Sequence, residues 1–205
     1  MLTGSLKHLF ETTAKKTKFI LGNSDKCDIQ LFGLGIQDRH AGVTLEDGKF
    51  YLEPYVNARV VRNGKAIEQK FRMENLDRYV FGASLYYIFV NPPEFTADGT
   101  HTVEVMNEKV SKITVQQIQT EIAHESGLID ESDLKKDNPD EIACINELID
   151  LIPNIEEANQ MSILLDKKII YKAAILHPLL VGDIIGKIRV HHSFFIIIFK
   201  ISLFF

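Results

Sequence analysis

Two dipeptides, Asp47-Gly48 and Asn63-Gly64, constrain the fold of this chain more than any other feature of the sequence. Each stands between two strand-like runs, VTLE before KFYLEP in the first case and ARVVR before KAIEQ in the second. A tight two-residue hairpin loop needs positive φ at both central residues, and Asn-Gly and Asp-Gly adopt that conformation most readily. The two dipeptides therefore predict two β-hairpins.

The hairpins belong to a series of short strand-like runs within residues 17–95. The predicted strands are Thr17–Leu21, Asp28–Leu31, Ala41–Leu45, Phe50–Pro54, Arg59–Val61, Tyr79–Phe81 and Tyr86–Val90. Short strands at close spacing, separated by glycine-containing turns, are typical of a β-sandwich or barrel. Proline cannot donate a hydrogen bond to a sheet ladder, so Pro92-Pro93 ends the last strand. We expect residues 1–96 to form one β-sandwich domain.

Helical spacing begins after this domain. Residues 97–140 are predicted to be a linker with one helix over residues 112–126, which ends at Gly127. Residues 141–168 are predicted to form an amphipathic helix, because isoleucines recur there at a 3-4-3 spacing over about two heptads. These isoleucines are Ile142, Ile145, Ile149 and Ile152. The stripe either packs on its own domain, which we favour, or forms a dimer seam; Pro153 is expected to break or kink the helix.

The C-terminal part is rich in β-branched and aromatic residues. Residues 169–192 are predicted to contain the strands Ile169–Leu176 and Ile184–Val190. The tail, residues 193–205, contains the apolar run FFIIIFKISLFF, which is too short for a spanning helix of roughly 20 residues. It is a buried strand, an aberrant end such as translated non-coding sequence, or a membrane-inserting tail. We favour an aberrant end that stays exposed, and we do not expect membrane insertion.

Composition excludes some classes of function. The chain has 205 residues and a net charge of −5, and no Lys/Arg block exceeds two consecutive residues, so nucleic-acid binding is not expected. The two cysteines are far apart in sequence, which argues against a disulfide framework. The N-terminus lacks the apolar run of a secretory signal. These features together indicate the cytoplasm.

Four segments in a fixed order resemble an FHA (forkhead-associated) domain. They are FILGNSDKCDIQL from Phe19, GIQDRHA from Gly35, VRNG from Val61 and YVFGASLYYIFVNP from Tyr79. The resemblance implies a mainly β fold with helical segments: an FHA-type β-sandwich, here without its first strand, then amphipathic helices and a small β-rich C-terminal segment.

The ending LYYIFVNP and two later segments, Gln117–Gly127 and Leu151–Asn159, are similar to the FHA domain and adjoining stalk of cargo-transport kinesins, with the motor domain absent. The nearest match to a phosphate-binding P-loop, Gly182–Ile188, has three intervening residues where the motif needs four. The resemblance implies a non-catalytic, cytoskeleton-associated module without cofactor or metal, which binds itself, a motor domain or a cargo adaptor. The alternative is a free-standing FHA protein that binds phosphopeptides in signalling.

The phosphate-binding pattern of the family is incomplete in this chain. In that pattern an Arg and a Ser hold the phosphate, whereas this chain has Asn23 and Gln37 at the matching positions. The pocket residues implied by the resemblance are Gly22, Asn23, Gln37, Arg39, His40, Asn63 and Gly64. A neutral Asn offers donors but no charge, so we expect phosphopeptide binding to be weak or absent. Arg39 and Arg62 lie nearby in sequence as candidate substitutes.

Overall fold

The computed structural model describes residues 16–133, 137–167, 169–176, 189–191 and 194–202. The chain divides into two compact units, Met1–Val115 and Gln116–Phe205. Their boundary falls within the segment 97–140 that the sequence predicts as a linker. Among the described residues, no helix combines the length and hydropathy needed to cross a membrane.

The first unit is a sandwich of two sheets, as predicted. Within the continuously described stretch 16–133 the strands are β1 (Lys18–Gly22), β2 (Ile29–Gln30), β3 (Ala41–Glu46), β4 (Lys49–Pro54), β5 (Val60–Arg62), β6 (Lys65–Ile67), β7 (Phe71–Arg72), β8 (Arg78–Phe81) and β9 (Leu85–Ile88). One sheet has the order β2-β1-β3-β4-β7, and the other has the order β6-β5-β8-β9.

Both predicted hairpins are confirmed. Asp47 and Gly48 join β3 to β4 with φ values of 49° and 75°. Asn63 and Gly64 join β5 to β6 with φ values of 48° and 85°. Positive φ at both central residues is the conformation for which these dipeptides are suited.

The core of the first unit lies between the inner faces of the two sheets. Alternate residues of a strand point to the same face, and the alternate residues named next are buried in one cluster. One sheet contributes Phe19 and Leu21 from β1, and the other contributes Tyr79 and Phe81 from β8. Burying a large apolar side chain stabilises a fold by about 1.5–3 kcal/mol, so this cluster accounts for the pairing of the sheets.

Strand directions place the connections at two opposite ends of the sandwich. The end of β1 lies beside the start of β3 (Leu21 opposite Ala41), and the start of β3 lies beside the end of β4 (Ala41 opposite Pro54). The start of β5 likewise lies beside the end of β8. We call this the loop end; it comprises residues 23–28, 31–40, 55–59 and 82–84. The opposite, hairpin end comprises residues 47–48, 63–64 and 73–77.

The first unit also contains helices after its last strand, α1 (Pro92–Phe95) and α2 (Val103–Lys112). The sequence predicted only one helix within residues 97–140, over residues 112–126, and α2 is a helix of this segment that it missed. Thr102 caps this helix by accepting a hydrogen bond from the Val105 N–H, and Met106 is buried. A capping hydroxyl followed by apolar residues at helical spacing was therefore available as a signal.

The second unit begins with helices. The helix predicted over residues 112–126 is present as α3 (Val115–Glu125), and Gly127 follows it with a φ of 72°. The long helix is α4 (Pro139–Leu164). α4 continues past Pro153, so the predicted break does not occur. A helix-interior proline costs about 3 kcal/mol, and the packing of Ile152 before it and Ile155 after it in one apolar cluster offsets that cost.

Three described strands of the second unit pair in the order β10-β12-β11, namely β10 (Ile169–Leu176), β11 (Arg189–His191) and β12 (Phe194–Ser202). β12 pairs antiparallel with β10, from Ile169 opposite Ser202 to Leu176 opposite Phe195. The expectation of an unpaired, exposed tail is therefore wrong for residues 194–202, which form a strand along β10; residues 194–196 also pair with β11. Most of the predicted strand Ile184–Val190 lies outside the described residues. The segment before Lys16, to which the predicted lack of the first FHA strand refers, also lies outside them.

Candidate functional site

The loop end is built around Gly22. The backbone of residues 37–38 lies directly on it: a Cβ at Gly22 would lie 2.3 Å from the Asp38 carbonyl oxygen. The Asn23 N–H donates to the Gln37 carbonyl oxygen at 2.8 Å, and the Ser24 N–H donates to the Asp38 carbonyl oxygen at 3.2 Å. Gly22 is thus required because two backbone segments meet closely, and it brings Asn23 beside Gln37.

His40 ties this pair of segments to the next loop. The Gln37 N–H donates to His40 Nδ1 at 3.2 Å, and Nε2 lies 2.9 Å from the Arg59 carbonyl oxygen. Because the first contact makes Nδ1 an acceptor, we assign the proton to Nε2. Burial lowers the pKa of His40, and its side chain is 0% exposed. A neutral imidazole therefore bridges the segments.

Arg39 lies on the outside of the same loop. Its Nη2 donates to Tyr55 Oη at 2.8 Å, and its guanidinium carbon lies 4.7 Å from the centroid of the Tyr55 ring. The Tyr55 N–H in turn donates to the His40 carbonyl oxygen at 3.0 Å. Arg39 is exposed, so the loop end presents one cation in an orientation fixed by an aromatic ring.

A third connection completes the loop end. Arg59 Nη1 donates to the Gly82 carbonyl oxygen at 2.7 Å, and the Ala83 N–H donates to the Leu34 carbonyl oxygen at 2.9 Å. Gly82 has a φ of 59°, and a Cβ there would lie 2.5 Å from the Leu34 carbonyl oxygen. Residues 31–40, 55–59 and 82–84 therefore form one hydrogen-bonded surface.

The cysteine at this end is a structural donor. Cys27 Sγ lies 3.0 Å from the Asp38 carbonyl oxygen. Burial raises the pKa of the Cys27 thiol, so the protonated thiol can donate to that carbonyl. A protonated thiol is a poor nucleophile, and this geometry favours a packing role for Cys27.

Asn63 and Gly64 do not join the other predicted pocket residues. They lie at the hairpin end, where Asn63 Nδ2 donates to Asp77 Oδ1 at 2.8 Å and Asn63 Oδ1 accepts from the Arg78 N–H at 2.9 Å. Arg62 Nε donates to the buried Asp77 carboxylate at 2.8 Å. These residues anchor the start of β8 to the hairpin. Among the predicted residues, the structure brings together Gly22, Asn23, Gln37, Arg39 and His40.

The sequence analysis missed Tyr55, Arg59 and Gly82, which complete the loop end. A signal was available, because connections between successive antiparallel strands alternate between the two ends of a sandwich. With hairpins at residues 47–48 and 63–64, the intervening connection at residues 55–59 must lie at the end opposite to both. The prediction instead placed Asn63 and Gly64 in the pocket, although they lie at the hairpin end.

The isoleucine stripe of α4 is largely buried within its own unit. Ile145, Ile149 and Ile152 are 6%, 2% and 4% exposed, whereas Ile142 is 40% exposed. The three buried isoleucines pack in a cluster that includes Ala123, from α3, and Ala173, from β10. Three of the four predicted stripe residues thus pack within their own unit, and Ile142 is exposed.

Among the described residues, no group of three or more His, Cys, Asp or Glu side chains is arranged to hold a metal ion. The loop end combines the neutral side chains of Asn23 and Gln37 with the cation of Arg39, which is stacked on Tyr55.

Comparison with known proteins agrees with this geometry. Residues 19–82 match the FHA domain family. Kinesin-like protein KIF28 of Rattus norvegicus is 27% identical over 162 residues, which are 78% of this chain and 15% of that protein. Kinesin-like protein KIF28P of Homo sapiens is 31% identical over 136 residues, which are 63% of this chain and 13% of that protein. The chain thus spans about one seventh of the length of these relatives.

A solved structure of the N-terminal FHA domain of S. cerevisiae Rad53p in complex with a phosphothreonine peptide is 23% identical, with a TM-score of 0.33. The match covers 40% of this chain and 73% of that one. The family match and the two-sheet sandwich together establish that this chain contains an FHA domain, which is a non-catalytic interaction domain.

Proposed function

We propose that this FHA-containing chain is a protein-interaction and regulatory module of a kinesin-like microtubule motor. One observation carries the proposal. The similarity to the rat KIF28 protein extends over 162 residues, whereas the FHA match ends at residue 82 after starting at residue 19. The similarity therefore includes sequence outside the FHA match. The proposed roles are dimerisation, autoinhibitory contact with a motor domain, or cargo-adaptor binding, in the cytoplasm and at the cytoskeleton.

The loop end is the surface that we assign to these contacts. Its loops are held by backbone and buried side-chain hydrogen bonds, so a partner would meet a preorganised surface and little ordering entropy would be lost. Its exposed polar groups include Asn23, which is neutral, and Arg39, which is stacked on Tyr55. Such a surface suits an unphosphorylated protein partner better than a dianionic phosphate.

The test uses the full chain and the purified motor domain of a KIF28-type kinesin-like protein. We expect the chain to bind the motor domain or itself and, in the autoinhibitory case, to lower the microtubule-stimulated ATPase rate of that motor. Arg39→Glu should weaken motor binding at least tenfold, whereas Lys49→Glu, an exposed change at the start of β4, should not. Absence of binding to the motor domain, to cargo adaptors and to a second copy would refute the proposal.

The alternative function is phosphopeptide binding by a free-standing FHA protein. The exposed guanidinium of Arg39 favours it, because an Arg can form charge-assisted hydrogen bonds with phosphate oxygens. A phosphothreonine peptide library, with each peptide also tested after dephosphorylation, separates the two functions. Micromolar binding that dephosphorylation abolishes would favour the alternative, provided that Arg39→Ala removes it.

A further inference from the structure

The clearest feature outside the loop end is a contact between α4 and β10. Asn159 lies on α4, and its side-chain amide pairs with the backbone of Tyr171 at two points. Nδ2 donates to the Tyr171 carbonyl oxygen at 3.1 Å, and the Tyr171 N–H donates to Oδ1 at 2.7 Å. A residue of a neighbouring antiparallel strand makes the same pair of bonds with the residue opposite it.

Ser162 makes a second contact of the same kind. It follows Asn159 by three residues, so the two side chains lie on the same face of α4. Its hydroxyl oxygen lies 2.6 Å from the Lys167 carbonyl oxygen and 2.8 Å from the Ile169 carbonyl oxygen, and its single proton is shared between them. Ser162 is 5% exposed. Ile169 and Tyr171 are two residues apart, so their backbone groups face the same side of β10.

That side is the outer edge of the sheet. In the order β10-β12-β11, β10 has β12 on one side only among the described strands. Tyr171 lies opposite Lys200 in that ladder, yet its N–H and carbonyl groups are bonded to Asn159. Those groups therefore point away from β12, to the position that a further strand would occupy. An open edge strand is a template for pairing with another chain.

We propose that Asn159 and Ser162 form an edge cap, which keeps β10 from pairing antiparallel with β10 of a second copy of this chain. A second copy is the expected occupant because identical strands pair about a twofold axis by using the same edge twice, so no other surface has to be complementary. β10 has 8 residues, which makes it long for an unprotected edge. The cap also gives a role to Asn159, the last residue of the segment Leu151–Asn159.

The test compares the full-length wild-type chain with Asn159→Ala, Ser162→Ala and the double variant. Asn154→Ala is the matched control, because Asn154 lies on the same helix and is exposed. We measure molar mass by light scattering across a concentration series, together with hydrogen exchange at the amide of Tyr171. We expect the wild type and the control to stay at the same mass and the Asn159 variants to form dimers at high concentration. Protection of the Tyr171 amide should fall in the dilute variant and return as the dimer forms.

Two results would overturn the proposal. One is a folded Asn159→Ala variant that keeps the mass of the wild type at every concentration, with exchange at Tyr171 simply faster. The other is loss of folding in both Asn159→Ala and Asn159→Ser, because Asn159 would then be required for folding of the second unit and not for protection of the β10 edge.

Discussion

At the scale of single residues, His40 links two segments of the loop end. Its two ring nitrogens contact two different segments, at the Gln37 N–H and the Arg59 carbonyl oxygen. Both contacts are made by the neutral ring. A second proton would place an N–H of Nδ1 against the N–H of Gln37, so protonation and the present loop geometry exclude each other.

We therefore expect the stability of the first unit to depend on pH through His40. The pKa in the folded state is lowered by burial, whereas the unfolded value is about 6.5. Well above an unfolded-state pKa of about 6.5 the group is neutral in both states, and its stabilising contacts are complete. As the pH falls below that value toward the lowered pKa, the unfolded state binds the proton first and stability is lost.

Thermal unfolding at pH 7.5 and pH 5.5 tests this prediction. The melting temperature of the wild type should fall at the lower pH, and His40→Gln should fall less between the two conditions. His124→Gln is the control, because His124 is exposed. An equal fall in the wild type and in His40→Gln would contradict the prediction.

Asn23 allows the missing phosphate contact to be restored. It is exposed at the loop end, and a charged hydrogen bond contributes about 1.5–3 kcal/mol. Asn23→Arg should therefore strengthen binding of a phosphothreonine peptide by roughly tenfold or more, as measured by calorimetric titration. Asn107→Arg on α2 makes the same change of charge elsewhere on the unit and should have no effect. Sub-micromolar binding by the wild type would show that the site is not weakened.

At the scale of secondary-structure elements, α4 shows how packing overrides local preference. Its helix begins at Pro139, where the Asn138 side chain accepts from the Asp140 N–H at 3.0 Å, and proline is well tolerated at the first helical position. It then passes through Pro153 without ending. Ile152 before Pro153 and Ile155 after it pack in one apolar cluster, which stabilises the helical conformation on both sides of the proline.

Two isoleucines of this helix make a matched pair for a test. Ile149 is 2% exposed and Ile142 is 40% exposed. Ile149→Asp would bury a charge without a partner, so it should lower the stability of the second unit by about 3 kcal/mol or more. Ile142→Asp should change it by less than about 1 kcal/mol. Urea unfolding followed by circular dichroism measures both.

The dimer-seam interpretation makes the opposite prediction. If the stripe joined two chains, Ile149→Asp would halve the molar mass in solution and leave the monomer helical. That outcome would contradict the intrachain packing described above.

At the scale of the whole molecule, the last described strand, β12, connects the other two described strands of the second unit into one sheet. β12 pairs with β10 on one side and with β11 on the other. Without it, the two remaining strands would have no common partner among the described residues. Residues 194–202 thus form the middle strand of the described sheet.

Deletion of residues 193–205 should therefore destabilise the second unit. We expect the deletion variant to melt several degrees lower than the full chain and to lose protection against hydrogen exchange along β10. A chain that lacks only residues 203–205, which follow β12, is the control. Equal melting temperatures for both, with better solubility of the shorter chain, would support the interpretation of an exposed aberrant end.

Part of this structure could be predicted from the sequence, because some requirements are local. Asp-Gly and Asn-Gly adopt the positive φ that a two-residue hairpin loop requires. Both hairpins could therefore be predicted from two adjacent residues each. The spacing of Ile145, Ile149 and Ile152 likewise identifies the buried face of α4. The order of the four FHA-like segments indicated a sandwich and placed Asn23, Gln37 and His40 near one another.

Tertiary structure alone decided the rest, because it depends on partners that are distant in sequence. Strand direction places Asn63 at the hairpin end, where Asp77 binds its side chain instead of a ligand. The approach of Asp38 makes Gly22 necessary, although the φ of Gly22 is ordinary. The composition of the terminal apolar run is compatible with a strand, an exposed end or a membrane-inserting tail, and the sequence alone favoured the exposed end. Pairing with β10, through backbone groups that every residue carries, is what makes it a strand.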